Sequence, residues 1–218
     1  MSLPQATKQL LSQLAVRRTN YALTKVGADA PILTSAQVKE VVSEAVKISP
    51  SSFDSRSSRV VVLDGAEHDV YWTKIVPESL SAAVKSQGGD DAAVEKATSR
   101  LPMFAAAQGT VLVFESNAVV QGMQKNVPAY SHMFPVWSQH ASGMLQYNLW
   151  TALTNSGYGV NIQHYGNLTE ATLKQKYSLP DDWQLHAELV YGAPKEEPKP
   201  REYDAEKENK ERIRFFGQ

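Results

Sequence analysis

Ser49-Pro-Ser-Ser-Phe-Asp-Ser-Arg-Ser-Ser-Arg-Val-Val-Val-Leu63 decides the architecture, because a helix end, a loop and a strand meet within it. Val60 to Leu63, led by Arg59, is short, apolar and β-branched, which predicts a buried strand. Pro50 has no N–H, and its ring clashes with a preceding turn, so it stops the helix before it. That helix is legible upstream. Thr34-Ser-Ala-Gln37 reads as a capping box, and Val38, Val41, Val42 and Ala45 follow at helical spacing, burying one face. Between helix and strand lies a polar loop fixed at both ends. It is either a solvated connector or a surface that presents hydroxyls and backbone groups to a heterocycle.

Toward the N-terminus, Pro4 opens a helix with Leu10, Leu11 and Leu14 on one side and Arg17-Arg18-Thr-Asn20 near its end. The arginines read either as cations at a helix C-terminus or as an anion clamp. An irregular stretch continues through Pro31. Toward the C-terminus the pattern is helical from about His68 to Ala107, interrupted near Gly88-Gly89 and Pro102. Thr110 to Phe114 is a second buried strand. Met133 to Pro135 is a bend, and a long helix runs from about Trp137 to Asn155, ended by Gly157. Val160 to His164 and Trp183 to Tyr191 read as strands, with a short helix over Thr169 to Tyr177 between them. Asn161-Ile-Gln-His-Tyr165 ends a strand, where α/β sheets commonly bind ligands, although a lone histidine such as His164 is more often structural than catalytic. Beyond Gly192 a proline- and charge-rich stretch to Pro200 predicts extended chain. The charged tail after it ends in aromatics that suggest docking rather than disorder. Arg212 and Arg214 share a side if that tail is extended, and otherwise form a solvated basic end. The expectation is one domain over 1–192 with an extended arm over 193–218, and a sheet layered between helices.

The chain has 218 residues, enough for one domain with a real core. Lys and Arg total 22 against 23 Asp and Glu, so no broad electrostatic attraction to nucleic acid or membrane is expected. The absence of cysteine excludes disulfides, thiolate catalysis, Fe–S clusters and Cys-type zinc sites. No segment approaches the roughly 18 apolar residues that would span a bilayer. Met1-Ser-Leu-Pro does not begin a signal peptide, so the expected address is the cytoplasm. Dinucleotide, P-loop, zinc-protease and nucleophile-elbow signatures are missing, and His132 and His140 lack metal-ligand spacing, so no metal is expected.

Arg17-Arg-Thr-Asn-Tyr-Ala-Leu23, Ser49 to Leu63, Gly143-Met-Leu-Gln-Tyr147 with Trp150, Gln163-His-Tyr165 and Glu211-Arg-Ile-Arg-Phe-Phe-Gly217 resemble, in order and spacing, the FMN-dependent nitroreductase family, in particular its small fungal and bacterial subgroup. The resemblance implies an α+β fold, a three-layer α-β-α sandwich with a mixed central sheet, and a homodimer holding two FMN molecules at its interface. It implies that Arg17, Arg18 and Asn20 hold the FMN phosphate and ribityl chain, completed by Arg212 and Arg214. It places Pro50, Ser51, Ser52 and Asp54 against the partner's flavin ring, and the backbone at Gln163 and His164 near flavin N5. No protein acid–base dyad is then required, because the flavin carries the electrons. The implied activity is NAD(P)H-dependent reduction of nitroaromatics, quinones or similar small acceptors by a ping-pong cycle. Tyr130, Phe134 and Trp137 shape the pocket or belong to the core. The alternative is a non-catalytic flavin- or lipid-responsive regulator on the same scaffold. Asp54 and Arg56 depart from the family's usual Asn and Gln. An ionised Asp cannot donate to a flavin carbonyl, and the two residues are spaced to pair.

Overall fold

The β-branched run at 60–62 does what its composition dictates and forms part of a five-stranded sheet: β1 (Leu23–Thr24), β2 (Ser58–Asp64), β3 (Gly109–Ser116), β4 (Gly159–Gln163) and β5 (Trp183–Pro194). The computed structural model describes residues 2–27, 31–198 and 202–217. Those parts of the predicted irregular stretch and C-terminal arm that fall on 28–30, 199–201 and 218 lie outside the described residues. The helices are α1 (Gln5–Ala15), α2 (Ser35–Ile48), α3 (Ala66–Val70), α4 (Val76–Ser86), α5 (Asp91–Thr98), α6 (Leu101–Ala105), α7 (Asn117–Asn126), α8 (Phe134–Asn155), α9 (Gly166–Tyr177) and α10 (Ala205–Arg212). Among the described residues no helix is long and apolar enough to cross a membrane.

β3 lies between β2 and β5, and β5 also pairs with β4 and β1. All these ladders are antiparallel. The parallel component of the sheet is the bridge between Thr19 and Val160. Every residue of β3 is buried, because helices cover both faces. Val111 and Val113 pack with Val38 and Val42 of α2 and Leu145, Leu149 and Leu153 of α8. Leu112 and Phe114 face the other way, onto Trp72, Phe104 and Leu173. This is the expected α-β-α sandwich.

A single wide π-type turn, Tyr71–Ile75, joins α3 to α4. Pro77 accounts for it: with no N–H, Pro77 cannot bond back to Thr73, and the Val76 N–H reaches Tyr71 instead. The turn sends both Tyr71 and Trp72 into the core.

Several boundaries differ from the sequence reading. Pro102 and Pro135 lie in the first turns of α6 and α8 rather than interrupting or preceding them, as suits a residue without an N–H. α7 fills a span to which the sequence assigned no element. None of the residues of α1 is buried, and Leu10 and Leu11 of its apolar side are half exposed in the single chain.

Candidate functional site

The loop that opened the sequence reading is strained. Phe53, Asp54 and Arg56 have φ of 56°, 50° and 50°, a region that non-glycine residues rarely enter and that costs on the order of 1–3 kcal/mol each. Three contacts hold it there. The Ser51 hydroxyl accepts from the Arg56 N–H at 2.9 Å. The Arg56 guanidinium donates to Asp54 as a fork, Nε to Oδ1 at 2.9 Å and Nη2 to Oδ2 at 2.6 Å. This is the pairing the sequence suggested, and the Arg56 hydrogen bond holds the Asp54 carboxyl below the ordinary carboxylate range. The Phe53 ring lies 5.5 to 5.9 Å from those of Tyr130, Phe134 and Trp137. Of these, Phe134 is buried core, whereas Tyr130 is half exposed. Pro50, Ser51, Asp54 and Ser58 line a groove closed by Val46 and Leu145.

The second cluster forms around β4. The segment after α1 lies parallel to that strand: the Asn20 N–H donates to Val160 O at 2.9 Å, and Asn161 Nδ2 to Asn20 O at 3.0 Å. Gln163 Nε2 in turn reaches Asn161 Oδ1 at 2.8 Å. Gly159 is tightly enclosed, since a Cβ there would stand 2.5 Å from Leu23 Cδ2 and 3.2 Å from the Asn20 side chain and would have to displace them. Buried Asn20 is committed at both ends, accepting from the Ala22 N–H and donating to Glu196 O at 3.1 Å, which ties down the root of the arm. Arg17 lies over the Trp150 ring, 4.4 Å from its centroid. Arg18 Nη1 donates to the carbonyl of Ala15 at 2.6 Å and to that of Arg17 at 2.9 Å, a C-terminal cap of α1. The structure therefore gathers Arg17, Arg18, Asn20 and Gln163 on one sheet edge, followed by exposed His164. Among the described residues no hydrogen bond or ion pair joins this cluster to the loop at 50–56.

Arg212 and Arg214 do not lie on one extended segment. The acidic start and basic end of residues 205–212, capped by Asp204, favour a helix, so Arg212 ends α10 beside Glu208 at 3.9 Å and Arg214 follows beyond the extended Ile213 cap. α10 buries no residue, and Phe215 and Phe216 are exposed, so the predicted docking of the tail is not made within one chain.

The sequence reading missed Glu188. In the middle of β5 and fully buried, it accepts the Tyr165 N–H on both carboxylate oxygens at 3.0 Å and the Tyr71 hydroxyl at 3.1 Å. Burial pushes its carboxyl up to about 7, against the pull of those hydrogen bonds. Its only signal in the sequence is a lone charge inside Ala187-Glu-Leu-Val-Tyr191.

With this geometry in place, the comparisons with known proteins are unambiguous. The sequence pattern of the Nitroreductase family matches residues 15–192, and the chain belongs to that family of oxidoreductases. HBN1 of Saccharomyces cerevisiae is 32% identical over 199 residues, covering 91% of this chain and 94% of the relative. Nitroreductase CinD from Lactococcus lactis, solved in complex with chloramphenicol, superposes with a TM-score of 0.83 at 32% identity, covering 95% of this chain and all of that one. A nitroreductase with bound FMN from Desulfitobacterium hafniense shares the fold at 15% identity and a TM-score of 0.64, over 95% of this chain and 97% of its own.

Proposed function

We propose that this chain is an FMN-dependent NAD(P)H oxidoreductase of the cytoplasm. It acts as a homodimer and reduces nitroaromatics, quinones or similar small aromatic acceptors in a ping-pong cycle. The observation that carries the reading is the strained Ser51–Arg56 loop with its exposed aromatic flank, Phe53 against Tyr130 and Trp137. Such a wall offers flat acceptors a stacking surface. CinD, similar over nearly the whole chain, is also solved with 4-nitrophenol, which supports that acceptor class.

The donor set fits FMN. Arg17 and Arg18, joined by Arg212 and Arg214 of the arm, would offset a phosphate near-dianion. Asn20 fixes the position of the first pair and of the arm root. Gln163 and His164 would offer backbone donors to ring N5, and Pro50, Ser51, Ser52 and Asp54 would meet the ring from the partner subunit. Bound flavin supplies the hydride acceptor and two-electron donor, and the backbone donors would stabilise charge developing beside them. Exposed Leu10, Leu11, Ile48, Met144 and Tyr147 support a second copy as partner, as does the separation of the loop from the β4 cluster within one chain.

The test is the visible spectrum of purified protein before and after anaerobic NADH and NADPH, with light scattering on the same sample. Flavin bands that bleach, on a dimer, are expected. Bands that persist would move the chain to a flavin-binding regulator. A colourless protein that does not take up FMN would remove the cofactor from the reading.

A further inference from the structure

Glu188 stands in one transverse row of the sheet, Val61–Leu112–Glu188–Gln163. It is the last residue of β5 paired to β4 on that side, and beyond Gln163 the chain turns into α9. The peptides that follow are gripped from two directions. Glu188 takes the Tyr165 N–H, and the Thr169 hydroxyl donates to the Tyr165 carbonyl at 3.1 Å. Tyr71 connects the two, with its hydroxyl 3.1 Å from Glu188 Oε1 and 3.1 Å from Thr169 Oγ1. The next residue leaves no slack, because a Cβ at Gly166 would stand 2.5 Å from the Leu185 carbonyl oxygen.

This set of groups has two proton arrangements. With Glu188 ionised, Tyr71 donates to the carboxylate. With Glu188 neutral, its O–H donates to Tyr71, Tyr71 to Thr169, and Thr169 to the Tyr165 carbonyl, one continuous chain. Among the described residues no lysine, arginine or histidine hydrogen-bonds or ion-pairs with Glu188, whose partners are Tyr71 and Tyr165. Glu170 and Lys174 of α9 are paired with each other at 2.6 Å, and Lys74 of the wide turn points to solvent. Half-buried His186 of β5 responds to burial and Glu170. Burial pushes the Tyr165 phenol up, against the pull of Arg100.

We propose that Glu188 is a positioning residue that orients the Gln163–His164 segment through Tyr165, and that its charge state is thereby coupled to the cofactor held against that segment. The inference rests on the proposed function, in which that segment meets the flavin ring. An ionised carboxylate anchors Tyr165 more strongly but opposes added negative charge on the ring, whereas a neutral one opposes it less.

The experiment compares wild type with Glu188→Gln and Tyr71→Phe. Midpoint potentials of the FMN-loaded proteins are measured by spectroelectrochemistry at pH 6 and pH 8.5, and amide exchange of the peptide spanning 163–167 is measured on the cofactor-free proteins. Wild type and Glu188→Gln should converge at pH 6. At pH 8.5 wild type should favour the reduced cofactor about tenfold less, about 30 mV for a two-electron couple. Exchange at Tyr165 should accelerate at least tenfold in Tyr71→Phe and at pH 8.5 in Glu188→Gln. Parallel potentials at both pH values in folded, FMN-loaded proteins would overturn the coupling. Unchanged exchange at Tyr165 would overturn the positioning role. If none of the three proteins takes up FMN, the flavin reading fails while the exchange result still decides the positioning role.

Discussion

Replacing Glu188 by Gln should change how stability depends on pH, by an amount that follows from the burial of the carboxyl. In the unfolded chain the group titrates near 4.5, and in the fold it titrates at about 7. Between those values the folded state holds the proton and the unfolded state does not. Stability from this group is therefore fully present below 4.5 and is lost as pH rises to about 7. Integrated from pH 5 to pH 8, the loss is roughly 2–3 kcal/mol. The amide keeps the shape and one acceptor but cannot ionise, so the variant lacks this slope. At pH 5 wild type should be the more stable by about 1–2 kcal/mol, since one amide N–H must find a new acceptor. By pH 8 the order should narrow to nothing or invert. Urea unfolding at fixed protein and cofactor concentration, followed by circular dichroism, reads the difference directly. A wild-type-minus-variant difference that stays constant within 0.5 kcal/mol over this range would refute the reasoning, because it would mean that Glu188 is already ionised in the folded protein at pH 5.

Asp54→Asn breaks the fork to Arg56 and gives the loop an amide donor. FMN should bind about 3- to 10-fold tighter, as one net hydrogen bond allows, and the reduction potential should rise; fluorescence titration and spectroelectrochemistry check this, and no change in either would count against the loop's contact with the ring. Gly159→Ala drives a Cβ onto Leu23 and Asn20 and should cost about 1–3 kcal/mol while weakening FMN retention, read by thermal melts and dialysis. Truncation after Pro198 leaves the Asn20–Glu196 bond and all five strands but removes α10 and both terminal arginines. It should preserve the circular dichroism spectrum and abolish both stable dimerisation and FMN retention; a yellow, dimeric truncation product would show that the arm is dispensable.

What the sequence made legible was whatever depended on local pattern. The β-branched run at 60–62, the Thr34–Gln37 capping box and the apolar stripes of α2 and α8 each have a period or a cap that needs no tertiary partner to be seen. α7 escaped because only Val120 of its residues is buried, too thin a stripe to register, although Ser116 accepting from the Val119 N–H is an ordinary cap. α10 was misread as extended chain because the proline-rich lead-in outweighed the Asp204 cap and the ordering of acids before bases. Arg17, Arg18 and Asn20 could be picked out as polar groups after a helix. That they lie along β4 depends on a parallel bridge to Val160 that local pattern does not encode.

Glu188 was illegible for a deeper reason. A charge inside an apolar strand reads as an error of burial until the partner donors are known, and those come from Tyr71 and Tyr165, 117 and 23 residues away. The fold nonetheless requires an acceptor at that point. The β4–β5 ladder stops at Gln163 opposite Glu188 before α9 begins, so the half-buried Tyr165 N–H has no strand partner to receive it. The last paired residue of β5 supplies the acceptor from its side chain. A leucine there would fill the volume but leave the Tyr165 N–H without its acceptor, at about 1–3 kcal/mol, and Thr169 as the remaining partner of the Tyr71 hydroxyl. That penalty is comparable with the cost of burying an ionisable carboxyl, which the fold moderates by letting Glu188 hold its proton up to about 7. A group that satisfies a sheet end in this way is also one whose charge can respond to chemistry at the neighbouring strand terminus. Structural necessity and functional coupling are thus two consequences of the same four hydrogen-bonding residues, Tyr71, Tyr165, Thr169 and Glu188.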